Sequence, residues 1–122
     1  MIRVTQRQVA SGYKALMAIQ GRPMETATAY RLFRLKKKLG QEFEFIQEEE
    51  RKRLTEYGYD VTPEGRILYG EDDEKHQRYI EEMEKVLEME VDVDAEPADL
   101  RGDETLKISL EEMEALEPFL VV

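Results

Sequence analysis

Cysteine and tryptophan are absent from these 122 residues, and histidine occurs once, at His76. Without cysteine there is no disulfide framework and no thiolate metal site, and a reducing cytoplasm is compatible with the composition. One imidazole cannot supply the paired Glu-x-x-His motifs of a di-iron bundle. No run approaches eighteen apolar residues, so a membrane span is not expected. Met1 to Gln8 lacks the apolar core and cleavage site of an export signal, and a soluble chain unexported by that route is expected. No P-loop, G-x-S-x-G elbow or G-x-G-x-x-G fingerprint occurs, so neither catalytic residues nor a cofactor are expected.

What is abundant is charge: 38% of the residues are Asp, Glu, Lys or Arg, with a net charge of −10. Residues 1–60 hold 12 Lys/Arg and 8 Asp/Glu, which is +4, and residues 61–122 hold 6 and 20, which is −14. Halves of opposite sign should attract each other, within one chain or between copies. A general nucleic-acid partner is disfavoured by this balance.

The length suits a single domain, 1–122. Thr5 and Gln8 form a T-x-x-Q capping box, and Gly21 supplies a stop, so a first helix is expected over about 5–20, with Gly12 permitting close approach of a neighbour. A long helix is expected over about 24–57, where Leu32, Leu35, Leu39, Phe43, Ile46, Leu54 and Tyr57 recur at three- and four-residue steps over about 50 Å. Ala29, Tyr30 and Phe33 lie outside this stripe, so residues 27–39 are expected to be buried on two sides. Gly40 suits a bend or a crossing segment. Thr62 to Gly65 reads as a type I turn inside a connector at 58–70 that forms a small hairpin. A third helix, about 71–90, carries His76, Ile80, Met83 and Leu87 on one face and should fold back on residues 43–57. The remaining segment, 91–122, alternates Val91, Val93 and Ala95 with acidic residues as a strand does, offers a second strand at 106–108, and opens a short helix with the Ser109 and Glu112 capping box. The fold expected is mainly α: a long antiparallel helical hairpin, an N-terminal helix, a short C-terminal helix and a small β element with strands near 60–68, 91–95 and 106–108.

Opposite the apolar stripe, Arg31, Arg34, Lys38, Phe45 and Lys52 fall within about 60° of one another. This strip could dock an acidic surface or a phosphate backbone. It could equally be a solvated helix face with Phe45 covered by the C-terminal tail. Tyr57, Tyr59, Tyr69 and Tyr79 gather around the connector as a possible grip on a partner, or as rings capping the hairpin end. Asp92, Asp94 and Glu96 share a strand face and could be oxygen ligands for a hard cation, but a wet strand face needs polar residues anyway and no calcium loop accompanies them. No metal is expected.

The order Gly12-Tyr13-Lys14-Ala15-Leu16, Gly21-Arg22-Pro23, Ala29-Tyr30-Arg31-Leu32, the Glu-rich Phe43 to Glu56 with Arg51 and Arg53, Thr62 to Gly65, Glu88 to Val93 and Leu106 to Phe119 resembles a family of small tailed-phage and prophage proteins of unknown function. The similarity covers nearly the whole chain and consists of helix faces and turns, not a catalytic motif. The resemblance implies a virus-encoded protein from bacteria of the Firmicutes type, often encoded among late tail, baseplate and lysis genes, and brings no active residues with it.

The function expected is therefore non-enzymatic. It is an assembly or accessory component of the virion, in tail or baseplate, contacting phage structural proteins or itself as a homo-oligomer. It would reside in the host bacterial cytoplasm or the virion. The alternative is a small acidic phage inhibitor of a host defence protein, acting by imitating nucleic acid with its C-terminal carboxylates or by direct protein-protein blockade.

Overall fold

A computed structural model of the chain describes residues 1–56, 60–61, 67–68 and 73–122. In chain order the elements are β1 (Ile2–Thr5), α1 (Gln6–Ile19), α2 (Thr26–Glu56), β2 (Asp60–Val61), β3 (Ile67–Leu68), α3 (Asp73–Leu87), β4 (Glu90–Val93), β5 (Ala98–Asp99), α4 (Leu110–Leu116), a 3₁₀ turn (Glu117–Phe119) and β6 (Leu120–Val121). The protein is mainly α, as its periodicity predicts.

Both capping boxes form. The Thr5 hydroxyl accepts from the Gln8 amide while Gln8 Oε1 accepts from the Thr5 amide at 2.9 Å, and Ser109 and Glu112 make the same reciprocal pair. Two orphan amides are thereby satisfied at each helix start. Helix α2 runs unbroken through Gly40 for 31 residues, about 46 Å. Its stripe of Leu32, Leu35, Leu39, Ile46 and Leu54 is buried, and Phe43 stacks on Tyr13 of α1 with ring centroids 4.7 Å apart. Gly40 lies beneath that ring, where an added Cβ would sit 3.3 Å from Tyr13 Cε2.

Helix α3 does fold back on α2, but turned from its expected face. Tyr79, Met83 and Val86 are buried while Ile80 is 38% exposed. The chain after α3 sets this rotation: Gln6 N donates to Met89 O at 2.9 Å and β4 immediately pairs antiparallel with β1, Ile2 opposite Val93 and Val4 opposite Val91. Arg3, on the wet face of β1, reaches Glu90 at 2.8 Å and Asp92 at 3.3 Å, and Arg7 pairs with Glu84. The basic N-terminal half thus meets the acidic C-terminal half within one chain.

The strand expected near 91–95 is present at 90–93, and β2 pairs with β3 antiparallel within the expected hairpin, whose turn at Thr62 to Gly65 lies outside the described residues. The strand expected at 106–108 is not formed. Its backbone groups go to side chains instead: Leu106 N donates to Asp103 Oδ1 at 3.1 Å, and Lys107 O accepts from Arg22 Nη1 at 3.0 Å. The last sheet is parallel, Ala98 beside Leu120 and Asp99 beside Val121. It holds the C-terminal segment so that the fully buried Phe119 lies over Gly12, where an added Cβ would stand 2.5 Å from Phe119 Cε2.

Candidate functional site: the outward face of the long helix

Because Leu32, Leu35 and Leu39 fix which side of α2 is buried, the residues between them face outward. Arg31, Arg34 and Lys38, at successive turns, line one wall of an open cavity of about 270 Å³, with Leu35 as its floor and the 94–99 segment opposite. Arg31 Nη1 donates to Asp99 O at 3.0 Å, which clips this segment to the helix. The Asp99 carboxyl is held down at about 2, chiefly by the Arg101 guanidinium that bonds both its oxygens, so its charge is already spoken for. Arg34 has no ion partner among the described residues; its guanidinium carbon lies 5.9 Å from the Tyr30 ring centre, within the range of a cation–π contact. Lys38 likewise has none.

Tyr30 and Phe33 are the departure from expectation. Both are 61% exposed, so residues 27–39 are not buried on two sides. Thr28 instead extends the buried stripe of Leu32 and Leu35, and its hydroxyl bonds to the Asp103 carboxylate. Three backbone amides, those of Thr105, Leu106 and Glu25, also point at Asp103, and together these hold its carboxyl at about 2. This anchors the 100–106 loop against the N-terminus of α2 on its buried side, the side of Leu32 and Leu35, whereas Tyr30 and Phe33 lie about 140–200° around the helix from Thr28. Phe33 instead stands between two grooves. One, about 190 Å³, is lined by Leu16, Ile19, Met24, Leu32 and Lys36; the other, wider and more open, runs past Tyr13, Lys37, Gly40 and Phe43.

Of the residues picked out by spacing, Arg31, Arg34 and Lys38 come together. Phe45 and Lys52 do not join them: Phe45 is 38% exposed farther along α2, and Lys52 pairs with Glu49 at 3.5 Å. The C-terminal tail does not cover Phe45, because Phe119 is seated on α1. Tyr57, Tyr59 and Tyr69 lie outside the described residues, and Tyr79 is buried in the core. Tyr30 and Phe33 went unrecognised as surface groups; the signal was their spacing to Arg34 and Lys37, since aromatics one turn from long basic side chains can lie on a wet face. Among the described residues no group of three His, Cys, Asp or Glu stands close enough to hold a metal; Asp92 binds Arg3, and Glu96 lies 3.7 Å from the Met1 amino group. Nor is any described helix long and apolar enough to cross a membrane.

No family model, curated protein or solved structure matches the chain. The outward face of α2, basic and aromatic and shallow, is suited to contact with an acidic surface bearing apolar side chains, and its open grooves offer little shelter from water for a reacting group.

Proposed function

We propose that this chain is a non-enzymatic phage or prophage protein that works by docking other proteins on the outward face of α2, as an assembly or accessory component of the virion tail or baseplate. The phage setting comes from the family resemblance; the docking role comes from the surface. The observation that supports it is the exposure of Tyr30 beside Arg34 and of Phe33 beside Lys36 and Lys37, when the basic residues Arg3, Arg7 and Arg22 are all engaged by carboxylates of the same chain. Aromatic and Arg-rich surface, with charge left unmatched, is the composition of a protein contact. The chain would act in the host cytoplasm and remain in the assembled particle. The alternative of an acidic inhibitor imitating nucleic acid draws no support from Glu82, Glu84, Glu90, Asp92 and Asp99, which are each engaged by a basic side chain.

The test is co-expression with the tail and baseplate proteins of the same phage, followed by co-purification with the wild-type chain and with an Arg31→Glu, Arg34→Glu, Lys38→Glu variant. Co-elution with one of them, lost in the variant, is the expected result. If none co-elutes, or the variant binds as well, the reading fails.

A further inference from the structure

Two exposed patches of this chain complement each other in both charge and apolar content. The first is the groove beside Phe33, with Lys36 and Lys37 on its rim. Lys36 reaches only the neutral Gln20 Oε1, at 2.5 Å, and Lys37 has no partner among the described residues, so both ammonium charges are unneutralised. The second is the outer side of α4. Leu110 at its first turn is 78% exposed, matched among the large apolar side chains of the described residues only by Met1. Glu111, Glu114 and Glu117 flank it, all exposed and without a basic partner among the described residues. The buried side of α4 is fixed by Leu116 against α1 and by the Arg22–Glu112 pair, so Leu110 cannot turn inward.

We infer that these two patches are the halves of one contact between copies of the chain: Leu110 of one copy enters the groove beside Phe33 of the next, and Glu111 and Glu114 meet Lys36 and Lys37. The contact rests on the reading of α2 as a docking face and names a second copy as an occupant. Each copy offers one groove and one helix, so the contact joins different surfaces, and it either closes into a ring or extends as a chain. Within the chain, basic residues on early elements already seek carboxylates on late ones, and the contact continues that pairing between molecules. Because its charges are at the surface, it weakens as salt rises.

Sedimentation velocity on the full chain at low salt tests this. The wild type is expected to give species at multiples of 14.4 kDa that grow with concentration and shrink with added salt. Lys36→Glu with Lys37→Glu, and separately Glu111→Lys with Glu114→Lys, each return the chain to 14.4 kDa. An equimolar mixture of the two variants restores the larger species, because each then offers the charge the other needs. Leu110→Ser weakens association without changing any charge. Circular dichroism of every variant shows the fold retained. A wild type that stays monomeric at the highest attainable concentration overturns the contact, as does association that survives both reversals or a mixture that stays monomeric. A monomer that still binds a tail protein through Arg31, Arg34 and Lys38 removes the self-contact and leaves the docking reading standing. Loss of tail binding with the charge exchange intact does the reverse.

Discussion

Arg22 and Glu112 meet in a two-point ion pair, Nη1 to Oε1 and Nη2 to Oε2, both at 2.6 Å, that ties the turn after α1 to the first turn of α4. The same carboxylate accepts the Ser109 amide, so one side chain both caps α4 and fastens it to the rest of the molecule. Paired geometry of this kind is stronger than a single contact between exposed charges.

That pair gives the protein an acid-sensitive joint. The Arg22 guanidinium, with Ser109, holds the Glu112 carboxyl at about 2 instead of its ordinary 4.5, and Thr28 with three amides holds Asp103 at about 2 instead of 3.8. A carboxyl whose value is lower in the folded than in the unfolded chain contributes stability that is complete above the unfolded value and is lost as pH falls through the folded one. Stability is therefore expected to be level above about pH 4.5 and to decline toward about pH 2. Denaturant melts across that range check it, and Glu112→Gln should flatten part of the decline and lower stability at neutral pH.

Gly12→Ala is expected to destabilise the fold by about 1–3 kcal/mol despite the higher helix propensity of alanine, because the new methyl runs into a fully buried Phe119 ring that has nowhere to move. Thermal or urea melts measure this. Adding Phe119→Leu should return part of the loss, since it thins the group that collides.

Gly40→Ala is expected to have the opposite sign, raising stability by up to about 1 kcal/mol. The nearest atom, at 3.3 Å, belongs to the edge of Tyr13, which is half-buried and can shift by a few tenths of an ångström. A fall in stability as large as that from Gly12→Ala would show that the Tyr13–Phe43 stack is as rigid as the Phe119 contact.

Phe119→Ala should cost about 3–5 kcal/mol, because it empties the fully buried space over Gly12 of α1, next to the start of β6. Hydrogen exchange would show which amides are affected, with those of Leu100 and of β6 losing protection first.

Tyr30→Ser and Phe33→Ser, by contrast, should leave stability within about 0.5 kcal/mol of wild type, since both rings are mostly in water. Melting curves read this directly. A large loss would mean that these rings belong to the fold and not to a contact surface.

What was legible in the sequence is what contacts between near neighbours determine. The Thr5–Gln8 and Ser109–Glu112 boxes each close over three residues, and the α2 stripe repeats every three or four, so the helix starts and the buried edge of α2 could be read directly. Arg31, Arg34 and Lys38 emerged together for the same reason. The rotation of α3, the pairing of β1 with β4 and the parallel β5–β6 pair were settled by partners far apart in the chain, and no local pattern names a partner. Leu106 and Ile108 show the competition: their alternation suits a strand, but Arg22 and Asp103 took the backbone groups a strand would have used. Tyr30 and Phe33 were left outside because the rest of the chain, the Asp103 loop at Thr28 included, packs on the side of α2 that carries Leu32, Leu35 and Leu39, an outcome decided by packing in three dimensions. The sequence by itself determined a charge-divided helical chain with one long amphipathic rod; tertiary packing alone decided which of its aromatics would meet water.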